Sequence, residues 1–83
     1  MKLTSNNSIE VRYYNVKRET EKAILVSLPV SWNSNYYERQ FWFPKSCVEM
    51  YKDTMAIATF LVGKMEQENA YHGYMMYFDE IGQ

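Results

Sequence analysis

An α+β domain is predicted by three features of the 83-residue sequence. Ile9-Glu10-Val11-Arg12-Tyr13 alternates apolar with polar residues, the period-two pattern of a half-buried strand. Ala23-Ile24-Leu25-Val26-Ser27-Leu28 is apolar on both faces and β-branched at Ile24 and Val26, as a covered central strand requires. Ile57, Phe60, Leu61 and Met65 recur at helical spacing. The expected architecture is a small curved antiparallel sheet of roughly three to five strands, open or barrel-like, with one helix packed on it.

Residues 1–8 are polar, with a Ser/Asn cluster, and are expected to lie loosely at the surface. The first strand is expected over 9–16, with Tyr14 and Val16 on the face opposite Ile9, Val11 and Tyr13. Lys17-Arg18-Glu19-Thr20-Glu21-Lys22 has no apolar side chain and reads as a hairpin loop leading into a second strand over 22–28. Pro29 is expected to end that ladder, and Val30–Asn35 reads as a loop rich in turn formers around Trp32. A third strand over 36–43 puts Tyr37, Arg39, Phe41 and Phe43 on one face and Glu38, Gln40 and Trp42 on the other. Ser46 and Glu49 fit a capping box, and an extended segment carrying Val48 and Met50 fits equally. Asp53 or Thr54 then caps a helix expected over 54–68, in which Gly63 costs about 1 kcal/mol relative to Ala. Tyr74–Phe78 reads as a last strand or a helical extension. Neither repeats nor a linker divides the chain, so residues 1–83 form one domain.

Composition narrows the function classes. A formal net charge of −1 gives no global attraction to nucleic acid or anionic lipid. The chain has no apolar run of spanning length, and its first residues lack an apolar signal core, so a membrane role is not expected. Cys47 is the sole cysteine, which excludes an internal disulfide and, with no signal peptide, points to a reducing cytoplasm. The nine Lys/Arg all lie in residues 1–64 beside six acids, whereas residues 65–83 hold four acids and no base. Such asymmetry reflects either a tail folded on the basic part or a partner-facing surface. Two Trp, eight Tyr and four Phe make up 17% of the chain. Large rings give a small domain the burial it otherwise lacks, and the excess of Tyr also suits a protein interface.

Thr20-Glu21-Lys22-Ala23-Ile24-Leu25-Val26, followed by Phe41-Trp42-Phe43-Pro44-Lys45-Ser46, resembles a pattern in small, uncharacterised proteins of bacteriophages and other mobile elements. In that group a strand of the KAILV type precedes a W-x-P-K-S segment, and a short helix follows. The resemblance spans residues 20–64 and departs at Val30–Tyr37, where this chain has a longer aromatic connection. It implies a phage or prophage setting in the bacterial host cytoplasm, and it supplies no catalytic residues.

Two constellations carry the functional expectation. Trp42 with Lys45 suits base stacking plus a phosphate contact, while structurally Trp42 covers a strand face, Pro44 ends the ladder and Ser46 caps a turn. Trp32 with Tyr36 and Tyr37, beside Asn33, Ser34 and Asn35, has the residue mix of protein-binding surfaces, and equally suits a plug at an open sheet end. Arg12, Lys17, Arg18, Lys22 and Arg39 could form a basic patch, but Glu10, Glu19, Glu21 and Glu38 are interspersed. His72 stands alone near Glu68 and Asp79, short of metal or triad spacing, and the three glycines are scattered. Tyr71–Ile81 reads as a core element or as a Met/Tyr surface for a partner or a second copy of the chain.

The leading expectation is a non-enzymatic, phage-type accessory protein that binds a protein partner, without cofactor or metal. An inhibitor of a host defence nuclease, such as an anti-CRISPR, is one concrete form. The alternative is a module that binds single-stranded nucleic acid by stacking, and the third a homo-oligomer built through the C-terminal aromatic segment.

Overall fold

A computed structural model describes residues 2–32, 34–68 and 77–81. The chain is α+β: the described residues form two antiparallel sheets, neither closed into a barrel, and one helix. One sheet has the order β1-β6-β5, built from β1 (Ser8–Arg12), β5 (Val48–Met50) and β6 (Thr54–Ala58). The other has the order β2-β3-β4, from β2 (Asn15–Glu19), β3 (Ala23–Trp32) and β4 (Asn35–Pro44), with β7 (Tyr77–Phe78) also on β3. The helix α1 runs Thr59–Glu68. The two sheets and α1 share one core, contributed by Val11, Met55 and Ile57, by Val26, Leu28, Phe41, Phe43 and Phe78, and by Val62 and Met65. Each large side chain buried there is worth about 2 kcal/mol.

The expected first strand divides. Its alternating half is β1, and the chain crosses at Tyr13–Tyr14 into the other sheet, where β2 pairs with β3 through a bulge between Val16 and Arg18. Tyr13 anchors the crossing: its hydroxyl donates to the Tyr51 and Lys52 carbonyls at 2.7 and 3.2 Å.

Pro29 does not end β3, which runs on to Trp32. The reason lies in the direction of its backbone. Ser27 accepts a hydrogen bond from the Tyr14 amide (2.8 Å) on the β2 side, and Pro29, two residues on, faces the same way. There the β2 pairing has stopped at Ser27 and that of β7 starts only at Val30, so no strand needs the missing amide. The expected loop is therefore a hairpin, closed between Trp32 and Asn35 with Ser34 at φ 66°.

The expected helix over 54–68 is two elements. Thr54–Ala58 is the central strand β6, with Met55 and Ile57 in the core and Ala56 and Ala58 under Leu3 on the other face. Covered on both sides, it reads as an unbroken apolar run, which a helix also produces. Residues 45–47 form a 3-10 turn without a side-chain cap, and the extended reading holds for Val48–Met50. The N-terminal segment is tied down where a loose one was expected. Leu3 is buried, the Asn7 side chain bonds the Thr4 amide (2.7 Å) and Lys2 carbonyl (3.1 Å), and the Thr59 amide donates to the Asn7 carbonyl (2.8 Å).

Residues 77–81 close the molecule. Phe78 packs edge-on against Phe41 at 5.3 Å, and its amide donates to Glu66 of α1 at 3.2 Å. Burial, and secondarily the Glu80 charge, push the Glu66 pKa upward against that bond. Ile81 and Arg12 then bond across to the Glu10 and Asp79 carbonyls, at 2.9 and 3.0 Å.

Candidate functional site

The register of β3 with β4 decides which side chains share a face. Val26, Leu28 and Val30 stand opposite Phe41, Arg39 and Tyr37, facing the core side. Leu25, Ser27, Pro29 and Ser31 stand opposite Trp42, Gln40, Glu38 and Tyr36 on the outer side. Ser27 and Pro29 are buried on that side, whereas Tyr36, Glu38, Gln40 and Trp42 are exposed. Ser31 also pairs with Tyr77, which places Tyr77, Ser31 and Tyr36 in one row across the sheet. Tyr14 is held beside the same face by its bond to Ser27. Tyr36, Tyr14, Tyr77 and Trp42 are 63, 55, 51 and 48% exposed. Four accessible rings on one side of a sheet are an adhesive surface.

The five residues singled out from sequence are not brought together. Tyr36 and Trp42 lie on the outer face, six positions and about 20 Å apart along β4. Trp32 and Tyr37 lie on the core side, rings 5.9 Å apart, with Trp32 half-buried against the rim of the core. Lys45 sits at the far end of the hairpin, where it pairs with Glu19 at 2.5 Å. The basic residues scatter too: Arg12 meets Asp79 at 3.3 Å, Arg18 stands beside Leu25 on the outer face, and Arg39 is on the core-side row. His72 and most of the C-terminal aromatic segment lie outside the described residues.

Sequence reasoning did not join Tyr14, Tyr77 and Pro29 to this face: Pro29 was expected to end a ladder, and Tyr77 fell within the C-terminal segment read as a core element or a Met/Tyr partner surface. The alternation along 36–43 carried part of the signal, since Tyr36 has the parity of Glu38, Gln40 and Trp42. Tyr14 and Tyr77 join that face only through the crossing of the chain and the return of β7, which local periodicity does not encode.

The electrostatics of the face are mixed. Buried Ser27 donates its hydroxyl to Glu38, and Arg12 and Asp79 neutralise one another at its edge. On the other sheet, a groove of about 330 Å3 runs past Leu3 and Ala56, with Glu10 and Glu49 on either side of Ala56. Thr54 donates to Glu10 (2.5 Å) and Tyr51 to Glu49 (2.9 Å), which raises the Tyr51 pKa above its ordinary value. Among the described residues no group of three or more His, Cys, Asp and Glu is placed to hold a metal ion. No described helix is long and apolar enough to cross a membrane. The sequence matches no protein-family model, no curated protein and no solved structure.

Proposed function

We propose that this chain is a non-enzymatic accessory protein of phage type, and that it binds a protein partner through the outer face of the β2-β3-β4 sheet. The observation that carries the reading is the set of four exposed rings there, Tyr14, Tyr36, Trp42 and Tyr77. Rigid Tyr and Trp side chains give large contact area at small entropic cost, and such residues dominate binding energy at protein interfaces. Small polar residues between them, Ser31 and Gln40, leave the face flat enough for a second protein. The resemblance to mobile-element proteins sets the proposed location, the bacterial host cytoplasm, and makes inhibition of a host defence nuclease a concrete form of the activity.

A second reading, single-stranded nucleic acid on the same face, draws on one row. Arg18, Leu25 and Trp42 are cross-strand neighbours, which sets the backbones that carry a guanidinium and an exposed indole about 10 Å apart. Glu38, Asp53 and Asp79 around the remaining rings oppose a phosphate chain. Two measurements separate the readings. A specific protein retained from bacterial lysate by the immobilised chain supports the protein partner. Quenching of Trp fluorescence by oligonucleotides, relieved steeply by salt, replaces it with the nucleic-acid reading.

A further inference from the structure

Where the chain crosses between its sheets, a groove of about 400 Å3 opens on the outer face. Buried Pro29 is its floor, and the exposed rings of Tyr14 and Tyr36 are its walls. We infer that this groove takes a proline-rich segment of a partner protein, in extended polyproline II form, with a basic residue beside the prolines. The inference rests on the reading of this face as a protein-binding surface and names the part of the partner it grips.

Four features of the groove select that ligand. The Tyr14 amide is tied to Ser27 and the Tyr13 hydroxyl to the 51–52 backbone, so the backbone that carries the Tyr14 wall is held in place before any ligand arrives. The floor lacks an amide donor, because Pro29 has none, and a ligand there is gripped by ring packing in place of strand addition. The Tyr14 and Tyr36 hydroxyls donate to no described residue, and a polyproline II segment, having no internal hydrogen bonds, offers its carbonyls to such donors. Finally, the charges are unequal. Arg12 is engaged by Asp79 at 3.3 Å, whereas the Asp53 carboxylate at the same groove makes no ion pair with a described residue. The groove thus carries one uncompensated negative charge, which favours Arg or Lys on the ligand and disfavours a phosphate chain. A polyproline segment is also ordered before it binds, so little chain entropy is lost on docking.

The test is titration of the full chain, followed by amide NMR, with a short synthetic proline-rich peptide carrying one terminal arginine. Controls are the same peptide with glutamate for arginine, and a single-stranded oligothymidylate. Shifts centred on Arg12–Tyr14, Tyr36 and Asp53 are expected, with about tenfold weaker binding by Tyr36→Ala and by Tyr14→Ala. Phe60→Ala, on α1 and away from the groove, leaves the affinity unchanged, and Asp53→Asn erases the preference for the arginine peptide. Unshifted amides elsewhere in the spectrum of each variant verify its fold. Shifts outside the groove, or shifts produced by the oligonucleotide instead, overturn the inference. If no proline peptide binds while a lysate protein is still retained in a manner dependent on Tyr36 and Trp42, the groove assignment fails and the protein-binding face stands.

Discussion

Tyr77 and Phe78 are adjacent in sequence, yet one ring is half in water and the other lies between Phe41 and Phe43. The consequences of truncation differ accordingly. Phe78→Ala leaves a cavity in the shared core and is expected to cost about 3–5 kcal/mol in chemical denaturation. Tyr36→Ala and Trp42→Ala remove exposed rings and are expected to change stability by less than about 0.5 kcal/mol. Glu66 links the same region to pH. Its folded pKa lies above the unfolded one because burial disfavours its charge, so the folded state holds the proton to higher pH. Its contribution is most favourable in acid and is lost as pH rises through the folded value. Glu66→Gln keeps an acceptor for the Phe78 amide without a charge, and its stability should fall less than that of the parent protein between pH about 4 and 7. A steeper fall in the variant contradicts this account of Glu66.

At the scale of elements, two backbone positions invite substitution. Ser34 adopts a left-handed φ of 66°, a conformation that costs a residue with a Cβ about 1 kcal/mol. S34G is therefore expected to stabilise the β3-β4 hairpin by about that amount, read as an increase in denaturation midpoint. Gly63 is exposed in α1, and a Cβ there would meet no atom within 4 Å, so G63A should also stabilise, by about 1 kcal/mol. These elements also mark what sequence periodicity carries. The two faces of 36–43 were legible, because alternation fixes which side chains share a side of the strand. The strand at Ala23–Leu28 was legible from its apolar, β-branched run. The division of 54–68 into β6 and α1 was not, since burial of both faces of β6 erases the alternation that identifies a strand. Pro29 concealed the second half of β3, because its tolerance depends on where two other strands stop. The crossing at Tyr13–Tyr14 was hidden for a similar reason: alternation continues up to it, and the change of sheet is a tertiary event.

Across the whole molecule the aromatic side chains divide into two sets. Core-side aromatics, Phe41, Phe43 and Phe78, join two sheets and a helix that are individually too small to stand alone, and outer-side aromatics remain accessible. Exposed rings also occur off this face, at Tyr51 on the other sheet and at Phe60 on α1, and these provide a matched control. The most direct test compares three immobilised proteins in retaining a specific partner from bacterial lysate: the parent chain, a Tyr36→Ala/Trp42→Ala variant and a Tyr51→Ala/Phe60→Ala variant. The account predicts that the first and third retain the same protein and the second does not. Equal retention by all three, or loss only in the third, would contradict it.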